Sequence, residues 1–138
     1  MALLLLAVGC GVDRGDGTVT NAAVTAATEE PSRDTFALGT AVTANGAIPQ
    51  QAAGETFIRG GEVYLSVNVE SASTDQTIEV KWIDPQGRVL HHDARHVPQD
   101  VQYVPFSSGA TSRWPTGAHR AVVLIDGRTV SEKQFAVM

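Results

Sequence analysis

Apolar and polar side chains alternate along the middle of the chain. Residues 63–69 carry valine or leucine at every second position, and in residues 78–82 isoleucine, valine and tryptophan alternate with charged side chains. A period of two, enriched in β-branched and aromatic residues, is typical of strands, and no window shows a helical repeat of 3.6. The pattern from residue 36 to residue 138 predicts six to eight short strands, all antiparallel.

Turn-forming residues separate these stretches. Residues 84–87 (Asp-Pro-Gln-Gly) suit a type I turn, because proline fixes φ at the second position and glycine tolerates a positive φ. Asp126-Gly127 stands between two apolar runs and predicts a two-residue hairpin. Asn45-Gly46 and Gly60-Gly61 mark further reversals. Strands and turns spaced in this way predict an all-β chain folded as one antiparallel β-sandwich of immunoglobulin-like size, with Trp82 in its core.

The C-terminal part resembles the last hairpin of bacterial immunoglobulin-like domains. Its Trp114-Pro-Thr-Gly-Ala-His119 stretch leads into alternating apolar residues, then Asp126-Gly127 and a closing Phe-Ala-Val at residues 135–137. The family has an aromatic residue where this chain has His119. The resemblance implies an immunoglobulin-like domain over residues 36–138. Val130 and Phe135 lie an odd number of positions apart, so if both face the core, a bulge is expected within residues 131–134.

The chain begins with a short apolar run, Met-Ala-Leu-Leu-Leu-Leu-Ala-Val-Gly, followed by Cys10, its only cysteine. A bilayer span needs about 20 apolar residues, so the run is too short to cross a membrane and has the size of a secretory signal. Small residues followed by cysteine resemble the lipobox of bacterial lipoproteins. That resemblance implies removal of residues 1–9 and lipid attachment at Cys10. The alternative is a short buried strand that ends in a core cysteine.

Residues 10–35 are expected to form a lipidated flexible tether. After Cys10 the segment is rich in Thr, Ala and Gly, and up to residue 34 it has no aromatic residue, Leu, Ile or Met. So little apolar surface cannot offset the entropy of ordering the segment. The lipoprotein resemblance places the protein in the bacterial cell envelope. Gly11 after the cysteine is compatible with the periplasmic face of the outer membrane in a Gram-negative cell.

The net charge and the lack of catalytic motifs exclude several classes of function. The net charge is −5 at pH 7, and no cluster of Lys and Arg interleaved with aromatics is present. This argues against nucleic acid as a partner and against electrostatic adhesion to anionic lipid. No nucleophile elbow, zinc-protease motif or phosphate-binding loop frames the Ser, His and Asp residues. The sequence therefore predicts a protein that is not an enzyme and needs no cofactor.

A histidine-rich stretch offers a metal-binding alternative. His91, Asp93 and His96 lie close together in the sequence. In a strand, His91 and Asp93 share one face, whereas His92 and His96 share the other. Residues four apart in a strand are about 13 Å apart, too far for one metal ion. A solvated edge strand whose charges discourage pairing is the other interpretation.

Residues 121–125 are apolar on both faces of the predicted strand. If Ala121, Val123 and Ile125 point inward, then Val122 and Leu124 point outward. Ile83 points the same way on a neighbouring strand, so Ile83, Val122 and Leu124 are the candidates for an apolar docking patch. Cover by a loop or by the histidine-rich segment is the alternative. The leading hypothesis is thus a lipid-anchored, non-enzymatic domain that binds another protein, and the alternative is a small metal-binding envelope protein.

Overall fold

A computed structural model describes residues 30–70 and 72–138, and within those ranges the chain is all-β. The strands are β1 (Phe36–Gly39), β2 (Thr56–Phe57), β3 (Glu62–Asn68), β4 (Thr77–Ile83), β5 (Val89–His96), β6 (Tyr103–Ala110), β7 (Gly117–Ile125) and β8 (Arg128–Val137). The only helical element in the described ranges is a 3₁₀ turn, Gln50–Ala52. The eight strands confirm the predicted number.

The strands form two sheets. One has the order β1-β3-β6, and the other has the order β2-β8-β7-β4-β5. Every pair is antiparallel except β2 with β8, where Thr56 and Phe57 run parallel to Ala136 and Val137. The expectation of a wholly antiparallel fold is therefore wrong at this edge. The chain leaves β1 in one sheet and reaches the edge of the other, where β2 runs in the direction of β8.

The inward side chains of both sheets share one core, an arrangement consistent with a β-sandwich. Its fully buried members include Leu65 and Phe106 from the three-stranded sheet and Ile78, Trp82 and Val123 from the five-stranded sheet. Trp82 is 0% exposed, which confirms its predicted place in the core. Its ring packs edge-on against Phe135, with ring centres 5.9 Å apart.

Residues 40–53, the covering segment, lie across the outer face of the three-stranded sheet. Ile48 is 1% exposed there, and Ser66 Oγ of β3 donates a hydrogen bond to the Gly46 carbonyl at 2.7 Å. A Cβ on Gly39 would stand 2.5 Å from Ile48 Cγ2, so only glycine allows this approach. The residue after the covering segment pairs with the free edge of β1, because the Gly54 amide donates to the Leu38 carbonyl at 3.1 Å.

Backbone contacts extend upstream of β1. The Ser32 amide donates to the Ile48 carbonyl at 2.7 Å, and the Asn68 amide donates to the Thr35 carbonyl at 2.8 Å. The compact unit accordingly runs from Pro31 to Met138, whereas the sequence predicts a domain start at residue 36. The predicted signal at residues 1–9, the lipid site at Cys10 and most of the predicted tether lie outside the described residues.

The Asp126-Gly127 turn is as predicted from the sequence, but the bulge lies outside its predicted range. Asp126 and Gly127 have φ values of 50° and 84°, the two positive angles of a type I′ hairpin. Val123 pairs with Ser131 and Leu124 with Thr129, so Val130 is the extra residue of the bulge. Val130 is 47% exposed and outside the core. The bulge therefore lies one residue before the predicted range 131–134.

Candidate functional site

The outer face of the five-stranded sheet holds the three predicted docking residues. Ile83 pairs with Arg120, while Val122 pairs with Lys81 and Leu124 with Glu79. Side chains opposite each other in a sheet point to the same face. The predicted alternation is therefore confirmed, and Ile83, Val122 and Leu124 share the outer face.

These three side chains do not form an exposed apolar patch. Val122 is only 8% exposed, and Ile83 and Leu124 are half-buried. Charged side chains separate them, since Lys81 and Glu132 stand on either side of Val122. Arg120 Nη1 lies 3.4 Å from Glu132 Oε2 and forms a surface ion pair across β7 and β8. The outer face is thus mixed in polarity around Val122.

The histidine-rich strand does not bring its predicted metal ligands together. His91 pairs with Trp82 and Asp93 with Val80, so both share the inward side at the sheet margin. His96 is on the other side, where its Nδ1 lies 3.2 Å from Thr77 Oγ1. Among residues 30–70 and 72–138, no three His, Cys, Asp or Glu side chains converge on one point. The set His91, Asp93 and His96 is therefore not assembled.

The same strand carries features of a protected sheet edge. Asp93 Oδ1 accepts a hydrogen bond from the Ala94 amide at 2.9 Å. The Arg95 guanidinium lies 5.1 Å from the centre of the Phe106 ring in the facing sheet. Edge strand β6 has Pro105, which lacks an amide hydrogen, and its Gly109 amide donates to Ser107 Oγ at 3.0 Å. Such features discourage another chain from adding to the sheet.

His119 lies inside the core, at the position where the resemblance to immunoglobulin-like hairpins implies an aromatic ring. It stacks on Trp114 with ring centres 5.4 Å apart and on Phe135 at 5.6 Å. Its Nδ1 lies 3.0 Å from the Gly117 carbonyl oxygen. His119 Nε2 and Trp82 Nε1 are buried and have no hydrogen-bond partner among the described residues. An imidazole that is 0% exposed acts as a packing element and does not reach solvent.

Two carboxylates have altered acidity. Burial raises the pKa of Asp84, but hydrogen bonds from Arg88 and from the Gln86 amide, together with the Arg88 charge, lower it below 3.8 on balance. Hydrogen bonds from Tyr64 and Ser107 lower the pKa of Glu62, and the Glu62 carboxylate raises the pKa of Tyr64. Ser107 Oγ donates its hydrogen bond to Glu62 Oε2 at 3.1 Å.

A shallow groove of about 730 Å³ lies between the covering segment and the connection from β5 to β6. Val42, Val101 and Tyr103 line it together with two prolines. The sequence gives no signal for this groove, because its walls come from irregular segments about 55 residues apart. The charged residues of its lining are Arg95 and Asp100.

The two ends of the domain differ in charge, which sequence reasoning missed. The connections at residues 58–61, 84–88 and 111–116 meet at one end, and their exposed charged side chains are Arg59, Arg88 and Arg113. The acidic side chains at the opposite end are Glu70, Asp75, Asp100 and Asp126, all exposed. The basic residues are scattered in the sequence, so only the topology brings three of them to one end.

Comparison with known protein families and with curated proteins finds no match to this chain. In the part of the chain that the structure describes, no helix has the length and apolar character needed to span a membrane.

Proposed function

We propose that this chain is a non-enzymatic, lipid-anchored protein of the bacterial envelope whose immunoglobulin-like β-sandwich binds another protein. The strand order supports the fold assignment. In an immunoglobulin-like assignment, the sheet β1-β3-β6 would take the places of strands A, B and E, and β8-β7-β4-β5 those of G, F, C and C′. The parallel pairing of β2 with β8 suits a displaced part of strand A, and Trp82 stands on strand C.

The proposed binding role rests on one difference between the two sheets: the outer face of one is covered and the outer face of the other is accessible. The covering segment buries the outer face of the three-stranded sheet around Ile48. On the five-stranded sheet, Ile83 and Leu124 are half-buried on the outer face, so part of each side chain stays accessible. Aliphatic side chains bordered by charged ones suit an interface with an apolar centre and a polar rim.

Substitutions on that face test the binding role. Ile83→Glu with Leu124→Glu should leave the domain folded and abolish capture of its partner from envelope extract, because an unpaired charge at an apolar contact is unfavourable. Val122 is left unchanged because it is buried. A charge there would destabilise the fold, and a loss of binding could not be separated from a loss of folding. Val101→Glu, at an exposed aliphatic in the connection between β5 and β6, is the matched control and should retain capture. A folded double variant that keeps every partner would contradict the proposed face.

The anchor is tested separately at Cys10. The mature protein should partition into the detergent phase, and Cys10→Ala should release it to the aqueous phase or block its processing, because lipid chains supply the membrane affinity. Equal partitioning of the two proteins would refute lipid attachment. This result does not depend on whether Ile83 and Leu124 contact a partner.

A further inference from the structure

An apolar band crosses the outer face of the five-stranded sheet near one end. We define the band as Ile58, Ala136, Ala118, Ile83 and Val89. Ile58 directly follows β2, and the others belong in turn to β8, β7, β4 and β5. Ala118 pairs with Ala136, and Ile83 pairs with Val89. Ile83 is opposite Arg120 on β7, so the band runs diagonally across the strands and passes beside Arg120. Four strand spacings make the band about 19 Å wide. Ile58 and Val89, at its two ends, are 75% and 53% exposed.

Arginines flank the apolar band. Arg59 follows Ile58 and Arg88 precedes Val89, while Arg113 belongs to the connection between β6 and β7 at the same end of the domain. Neither Arg59 nor Arg113 forms an ion pair with an acidic side chain among the described residues. The one acidic residue in the three connections, Asp84, has a fully buried side chain that pairs with Arg88.

We propose that the apolar band and its arginines lie against a bilayer surface rich in anionic phospholipids. Charge complementarity identifies the partner, because guanidinium groups pair well with phosphates. At this end three exposed arginines, Arg59, Arg88 and Arg113, outnumber the exposed carboxylate of Glu62 at the start of β3. The width of the apolar band indicates the shape of the partner. Ile58 and Val89 are exposed about 19 Å apart, each beside an arginine, and a broad flat surface can contact both.

The opposite end reinforces this orientation. Glu70, Asp75, Asp100 and Asp126 are repelled by anionic lipid, so the charge asymmetry turns the arginine end toward the membrane. A net charge of −5 averages the two ends and conceals this asymmetry. The proposal goes beyond the protein-binding role and requires neither a protein partner nor lipid attachment at Cys10.

A fluorophore within the apolar band tests the proposal on the full chain. Cys10→Ser removes the only native thiol, and Ala118→Cys then gives a single site for an environment-sensitive label. Vesicles containing about one third phosphatidylglycerol should shift its emission to the blue, and pure phosphatidylcholine vesicles should not. High salt should weaken the shift, because it screens the arginines. The same label at Val130→Cys, on the bulge, should not respond.

Charge reversal supplies the matched comparison. Arg59→Glu with Arg113→Glu should raise the anionic vesicle concentration needed for half of the shift by at least about tenfold. Arg128→Glu with Lys133→Glu changes the net charge equally at other positions and should have a smaller effect. No shift at position 118, an equal shift at position 130, or equal effects of the two reversals would overturn the proposal. A shift that grows with protein concentration without vesicles would assign the band to a second copy and also overturn it.

Discussion

His119 occupies a space shaped for an aromatic ring. Its imidazole stacks between Trp114 and Phe135, and its buried Nε2 has no partner among the described residues. We predict that His119→Phe changes the free energy of unfolding by less than about 1 kcal/mol, because removing an unpaired buried polar atom offsets the lost bond to Gly117. His119→Ala should lower it by about 3 kcal/mol, since it leaves a cavity. Urea unfolding followed by circular dichroism measures both, and an equally large loss in both variants would refute a packing role.

Asp84 makes stability depend on pH. Its carboxylate accepts hydrogen bonds from the Gln86 and Arg88 amides and from Arg88 Nε, and these bonds hold its pKa below the usual value for aspartate. A lowered folded-state pKa stabilises the protein above about pH 4, and this contribution is lost as pH falls through the folded value. We predict that Asp84→Asn makes the urea midpoint less dependent on pH below pH 4 than in the wild type. Glu62→Gln should have a similar but separate effect, because its pKa is also lowered. An unchanged profile in Asp84→Asn would contradict the prediction.

At the level of elements, the hairpin between β7 and β8 depends on Gly127. Its φ of 84° is in the left-handed region, where a Cβ introduces strain. We predict that Gly127→Ala lowers the free energy of unfolding by about 1–2 kcal/mol. Gly54→Ala is the matched control, because Gly54 has no positive φ and a Cβ there meets nothing within 4 Å. Thermal unfolding compares the two, and an equal effect would show that the turn tolerates alanine.

Elements that follow a local sequence pattern, such as alternation or a turn motif, can be predicted from the sequence. Strands β3 and β4 and the turn at Asp126-Gly127 follow from alternation and turn chemistry, and Trp82 follows from its place on β4. The covering segment has no period, since its position depends on the close approach of Ile48 to Gly39. Val122 lies on the predicted face but is buried, because side chains from neighbouring strands enclose it. Contacts between distant segments decide such features, and a local pattern does not encode them.

At the level of the whole molecule, the order of the strands determines which residues come together on the two candidate surfaces. Alternation within single strands assigns Ile83 and Leu124 to the correct face, but the apolar band depends on the order of five strands. Its most exposed member, Ile58, follows a two-residue strand that pairs parallel to β8, which the antiparallel expectation excludes. Both candidate surfaces therefore lie on the outer face of one sheet and share Ile83, so a protein partner and a bilayer would compete for that side chain.

The N-terminal boundary of the folded domain gives the last prediction. We expect the free energy of unfolding of a chain that starts at Pro31 to be about 1–3 kcal/mol higher than that of a chain that starts at Phe36. The shorter chain loses the bonds from Ser32 to the Ile48 carbonyl and from Asn68 to the Thr35 carbonyl. These bonds hold the covering segment and the end of β3, so exchange of the Asn68 amide should accelerate in the shorter chain.

Comparison with the full chain completes this test. Starting at Pro31 should cost little relative to residues 1–138, because the sequence predicts a tether poor in bulky apolar side chains. Urea midpoints of the three chains separate the contributions of residues 1–30 and 31–35. Equal stability of the chains starting at Pro31 and Phe36 would place the boundary at β1, as alternation alone predicts. A loss confined to the shorter chain would show that residues 31–35 stabilise the sandwich by holding the covering segment against it.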